Sequence, residues 1–197
     1  MRIATLALGV ACIVAACSSG GSDQTSSTTT TTAVAAPVTD PSCPAFHGTT
    51  AARSSTGERP PSLLVDATAE MVGCLDRVSF EFESLGDGTP PGYRVAYRDV
   101  AAEPLLDADG NEISLPGNAF LVVEIAPAAS NDPRVEDQPA TYRGNLRLSY
   151  GDNHHLEIVQ KLPDAAGAVV WVIGLDSEQP FVVDSAAGPP RVNVYIG

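Results

Sequence analysis

The stretch Arg77–Glu83 (RVSFEFE) alternates without a break. Val78, Phe80 and Phe82 fall on one side of an extended chain; Arg77, Ser79, Glu81 and Glu83 fall on the other. Successive side chains of a strand point to opposite faces, so the pattern specifies a strand buried on one face and wet on the other. Tyr93–Arg98 (YRVAYR) alternates in the same way. Ala119–Ile125 (AFLVVEI) is instead an almost continuous apolar run, which suits a strand covered on both faces. Ser62–Ala69, Asn145–Tyr150, Leu156–Lys161, Val169–Leu175, Phe181–Asp184 and Arg191–Ile196 read as further short strands. Between them lie breaker-rich stretches: Leu85–Gly92 (LGDGTPPG), Asp107–Glu112 (DADGNE), the Pro-, Asp- and Asn-rich Ala126–Thr141, Gly151-Asp152-Asn153 and Pro163–Gly167. Helical periodicity is confined to one possible turn over Thr68–Leu75. Many short strands at roughly ten-residue spacing predict an all-β sandwich of mostly antiparallel strands.

The first 42 residues cannot join that sandwich. Arg2 followed by Ile3–Ala16 (IATLALGVACIVAA) has the charged start and apolar body of a signal peptide. Fourteen helical residues span about 21 Å, short of the roughly 30 Å hydrocarbon core, and no basic stop-transfer cluster follows. Val14-Ala15-Ala16-Cys17 resembles the lipobox of bacterial lipoproteins. That resemblance implies cleavage after Ala16 and a lipid on the Cys17 thiol, palmitate included. It places the protein outside the cytoplasm, lipid-anchored to the outer face of the cell membrane. Cys12, inside the apolar body, would leave with the signal. Residues 17–42 are rich in Ser, Thr, Ala, Pro and Gly and hold almost nothing large to bury, so they read as a disordered tether. Thr25 and Thr28–Thr32 would suit O-glycosylation as well as a bare spacer. The folded domain is then 43–197.

An exported domain sits in an oxidising compartment, and two cysteines remain in it, Cys43 and Cys74. A disulfide between them is the default. Closing a loop of about 32 residues contributes roughly 3–4 kcal/mol in the chain-entropy model. The net charge of −13 becomes more acidic once Arg2 is removed, and Lys161 is the sole lysine. Such a surface argues against a nucleic-acid partner and against electrostatic docking on anionic lipid.

Five segments in order resemble the AMIN-like domain of actinobacterial envelope proteins. They are Asp76–Phe82 (DRVSFEF), Pro91–Tyr97 (PGYRVAY), Trp171–Leu175 (WVIGL), Pro180–Val183 (PFVV) and Gly188–Val192 (GPPRV). The resemblance implies a secreted or lipid-anchored β-sandwich, related to the AMIN modules beside cell-wall amidases. It implies a non-enzymatic module without cofactor, whose partners are peptidoglycan or another cell-wall polymer, or an envelope protein. The family's last strand carries Asp where this chain has Tyr195, so a role attached to that acid does not transfer directly.

Candidate site residues follow from the strands. Arg191 opens the last strand after Pro189-Pro190, which restrict its approach; it could pair a ligand carboxylate or an internal acid. Trp171 is either core or a sugar-stacking platform. Tyr195 shares a strand with Arg191. Glu81 and Glu83 lie on one strand face about 7 Å apart, a spacing also used by paired glycosidase carboxylates, although outward acids on an alternating strand are ordinary. His154-His155 point apart on an extended chain and cannot easily share a metal; no metal site is expected. Asp107–Glu112 departs from the calcium-loop pattern, with Gly110 too early, and reads as a hairpin turn. No GxSxG, Walker A, HExxH or GxGxxG sequence is present. A binding module therefore leads. An accessory subunit acting by protein contact, through strand addition for example, and a hydrolase of envelope polymers stand as alternatives.

Overall fold

The computed structural model describes residues 43–149, 151 and 154–197. The expected signal peptide, lipid attachment at Cys17 and tether lie outside the described residues, as does Tyr150.

Eleven strands run in chain order: β1 Arg53–Ser54, β2 Ser62–Val72, β3 Leu75–Ser84, β4 Gly92–Tyr97, β5 Ala119–Ala126, β6 Ala128–Ala129, β7 Arg147–Leu148, β8 Leu156–Lys161, β9 Val169–Leu175, β10 Phe181–Ala186 and β11 Arg191–Ile196. They form two sheets, ordered β1-β4-β5-β9-β8-β7 and β10-β11-β3-β2-β6. Every pairing is antiparallel except the short β2–β6 contact. The described part contains no helix, and the all-β sandwich expected from the sequence is what forms.

The alternation of β3 is realised residue by residue. Val78, Phe80 and Phe82 are buried and meet Leu121, Val123, Trp171 and Ile173 of the facing sheet in one core, joined by Val192, Val194 and Ile196 of β11. Phe80 and Tyr142 pack on Trp171 with ring centroids 5.4 and 5.7 Å away. Fully burying a side chain of this size contributes about 1.5–3 kcal/mol, which makes this cluster the main source of stability.

A second apolar layer lies on the outer side of the larger sheet. Val122, Ile158 and Val172 point away from the main core and are covered by Leu105 and Leu115, with Val100 and Ile113 packed alongside. The segment 98–118 thus lies over the sheet like a patch. Gly174 makes this possible. A Cβ there would sit 2.2 Å from the Pro116 carbonyl oxygen, so only glycine lets the covering segment approach the strand.

Two expectations are corrected. Thr68–Leu75 forms no helical turn: β2 runs on to Val72 and β3 begins at Leu75, with Val72 opposite Leu75. Gly73, at φ +64°, closes the hairpin, and cross-strand pairing over ten positions outweighs a single helical turn. Within the expected strand Asn145–Tyr150, the described residues form strand at Arg147–Leu148.

The connection after β5 is tied down instead of hanging free. Ser130 donates from both N and Oγ to Asp164, at 2.7 and 2.6 Å, and the Lys161 ammonium grips the other oxygen of the same carboxylate. Thr141 Oγ1 donates to the Leu64 carbonyl at 2.8 Å. At one pole Cys43 is disulfide-bonded to Cys74 in the β2–β3 turn. The lead-in segment then pairs through Thr49 with Phe181, covering the first residue of edge strand β10.

Candidate functional site

The outward residues of β11, β3 and β2 form a ladder of polar rows on the open side of the smaller sheet. Register places Arg191 beside Glu81 and Glu81 beside Asp66. The next row holds Asn193, Ser79 and Thr68; the third holds Tyr195, Arg77 and Glu70. Arg191 donates from Nε and Nη2 to one oxygen of Glu81, at 2.9 and 2.7 Å. Ser79 Oγ donates to Asn193 Oδ1 at 2.7 Å. Arg77 grips Glu70, and Glu70 together with the Tyr195 hydroxyl raises the guanidinium above its usual range. The rows enclose a shallow depression of about 280 Å³ floored by Thr68, Ser79 and Asn193 and flanked by Arg77, Glu81 and Arg191.

Four of the five candidate ligand-binding residues therefore lie on strands of this sheet face, but they are not equally placed. Arg191, Glu81 and Tyr195 belong to the ladder. Glu83 lies one position beyond it, with Arg134 at 3.9 Å. Glu81 is paired with Arg191, and Glu83 is exposed beside an Arg134 that is held chiefly by Asp132, so neither acid has the sequestered setting of a glycosidase general acid. Trp171 is a correction. It is 0% exposed, packed between Phe80 and Tyr142 in the core, and offers no ring face to a sugar. Its position in a strand covered on both sides is the physical reason.

The remaining chemistry-bearing residues have local structural partners. His154 Nδ1 lies 3.1 Å from the Cys74 carbonyl, whereas His155 Nδ1 lies 3.1 Å from Asp176, so the two rings serve different neighbours. Asp107 accepts from the backbone N–H groups of Asn111 and Asp109 at 2.8 and 2.9 Å. Those bonds, Asn111 first, hold its carboxyl below the usual range and close a turn bridged by Leu106 and Glu112. Among the described residues no three His, Cys, Asp or Glu side chains gather to hold a metal ion.

Sequence reasoning missed Asp76. This carboxylate is fully buried and accepts three backbone N–H groups, from His154 at 3.2 Å, His155 at 2.8 Å and Leu156 at 3.0 Å. It fastens the start of β8, in one sheet, to the start of β3, in the other. The signal was present: Asp76 falls in phase with Val78, Phe80 and Phe82, an acid on the core side of an alternating strand.

A family model for the AMIN-like domain matches residues 62–196. The chain belongs to the AMIN-like domain family. The match begins on the first residue of β2 and ends on the last of β11, so both sheets apart from β1 lie within it. Two glycines of the AMIN-like segments now have physical reasons. Gly174 admits the covering segment, and a Cβ at Gly92 would sit 2.6 Å from the Ala126 carbonyl oxygen. Tyr195 also gains context, because the cation beside it, Arg77, takes its acid from Glu70 on the opposite neighbouring strand. No curated protein and no solved structure matches the chain. AMIN-like domains are non-catalytic binding modules associated with the cell wall, and they occur in exported envelope proteins.

Proposed function

We propose that this protein is an envelope lipoprotein, anchored through Cys17, whose AMIN-like domain binds a cell-wall polymer or an envelope partner without catalysing a reaction. The observation that carries the reading is the contrast between the two outer faces. One is covered at its centre by the segment 98–118, while the other presents a ladder of oriented donors and acceptors to solvent. Arg191 is the residue on which recognition turns. Its side chain is 44% exposed and its guanidinium is held in place by Glu81, so it can turn a donor toward a ligand carboxylate or hydroxyl without first being ordered. The tether, residues 17–42, sets the reach of the domain from the membrane.

Two experiments test this. Sedimentation of the full chain with isolated cell wall is expected to retain it, and Arg191→Ala is expected to release it with the melting transition preserved. Equal retention of the variant removes Arg191 from the site. Mass spectrometry of membrane fractions is expected to show a diacylglyceryl-modified Cys17 at the mature N-terminus, and Cys17→Ser is expected to appear in the medium or as uncleaved precursor. An unmodified Cys17 on a membrane-bound mature chain rejects the anchor.

A further inference from the structure

At the pole opposite the Cys43–Cys74 disulfide, the outer side of the larger sheet carries a cleft of about 640 Å³ that the covering segment does not reach. This volume lies within the range of small-molecule sites. Its floor is made by Gly92, Arg94, Glu124 and Val170. One rim is the lead-in segment Ser55–Arg59, stitched to β4 by Ser55 N–H to the Tyr93 carbonyl at 3.0 Å and Tyr93 N–H to Ser55 Oγ at 2.9 Å. The other rim is the β8–β9 turn, Ala165 to Ala168. The first rim precedes the segment that matches the AMIN-like family, so the cleft is completed by residues particular to the lead-in.

Arg59 is the unusual member. Three described arginines are partly buried: Arg59, Arg77 and Arg98. Arg77 and Arg98 are ion-paired with Glu70 and with Glu103 and Glu124. Arg59 has no ion pair, and its Nε is sealed from solvent without an acceptor. A sealed N–H without an acceptor is costly, and in a chain with 24 acids this half-buried arginine meets none of them. An anion in the cleft would meet the Nη groups of this guanidinium, which are not sealed and have no acid beside them. Nearby, Glu124 is engaged by Arg94 and Arg98, at 3.4 and 3.8 Å, which leaves Arg59 as the cation without a counter-charge.

The walls narrow the kind of anion. Glu58 on the rim disfavours a doubly charged group such as phosphate. Ala126, Pro127, Ala165, Ala168 and Val170 supply small apolar contacts. We infer that this cleft is a second binding site, which takes a monocarboxylate carrying a short aliphatic group, with Arg59 as the carboxylate-binding residue. The same chemistry is offered by a free small acid and by the C-terminus of a short peptide. The site is independent of the role given to Arg191.

Saturation-transfer NMR on the full chain in detergent micelles tests it, with N-acetyl-Ala-Ala, its C-terminal amide, propionate and inorganic phosphate as probes. Transfer to the methyl groups of N-acetyl-Ala-Ala is expected, with affinity falling at least about tenfold for the amide and for Arg59→Gln. Propionate binding as well as the peptide identifies a free acid as the ligand type; peptide binding alone identifies a chain terminus. Ala165→Trp, at an exposed position on the opposite rim, is expected to block the cleft with Arg59 intact, and it serves as the test should Arg59→Gln fail to fold. Equal binding of acid and amide, stronger competition by phosphate, undiminished binding in a folded variant, or no transfer to either carboxylate probe overturns the inference.

Discussion

The two sheets of the sandwich share one core but treat their outer sides oppositely. β9 is apolar in both phases: Val169, Trp171, Ile173 and Leu175 face inward, while Val170 and Val172 face outward under or beside the covering segment. β3 is apolar in one phase only, and its other phase is the polar ladder. The difference shows where this molecule can vary. A strand covered twice holds each residue by packing, whereas a strand covered once has an outer face available for recognition.

That contrast can be broken most forcefully at Val172. Val172→Asp places a charge beneath the covering segment and is expected to cost at least about 4 kcal/mol, or to prevent folding. Thr68→Lys, an outward substitution on the open sheet, is expected to stay within about 0.5 kcal/mol. Urea denaturation of both variants checks the pair, and comparable losses would erase the distinction between the faces.

Next in size is Asp76→Ala, which removes the carboxylate acceptor of one buried and two part-buried N–H groups. A loss of about 2–4 kcal/mol is expected. Hydrogen exchange at His155 and Leu156 should accelerate more than at β5, because the carboxylate fastens that one junction. Uniform acceleration would mean that the bond supports the whole sandwich.

Tyr142 sharpens the comparison on the core side. Burial pushes its phenol up to about 12, against an ordinary value near 10. The folded state thus favours the protonated ring. Its contribution is complete below pH 10 and is lost as pH rises from 10 toward 12, where the unfolded chain ionises first. Ultraviolet titration is expected to show one tyrosine ionising near pH 12, and Tyr142→Phe to remove that step and flatten the alkaline fall in stability. A small effect is also expected at the ion pair of the ladder. Arg191→Ala breaks an exposed pair and is expected to cost less than about 1 kcal/mol, measured by the same urea titrations.

The main architecture was legible wherever a single strand's own pattern decided the outcome. Val78, Phe80 and Phe82 announced one buried face, and the run Ala119–Ile125 announced two. The covering segment was not legible, because Val100, Leu105, Ile113 and Leu115 follow no period; they find the sheet through tertiary contact and not through local regularity. The supposed helical turn failed for a related reason, since pairing with β3 outweighs local propensity over Thr68–Leu75. Arg191 and Tyr195 could be assigned to one strand and Glu81 to another, yet their side-by-side order depends on β11 pairing with β3, more than a hundred residues earlier in the chain. Arg59 gave no signal at all. Its meaning lies in the acids it fails to meet, which no sequence pattern displays.

The small knot formed by Lys161, Asp164 and Ser130 has a practical side. Lys161 is the sole lysine of the chain, and its side chain is only 8% exposed. Amine-directed cross-linkers and labels therefore find almost no lysine handle on this surface, and a neighbour searched for with them would be missed even in full contact. Carboxylate-directed coupling or photo-reactive groups on the ladder face would report contacts to which lysine chemistry is blind.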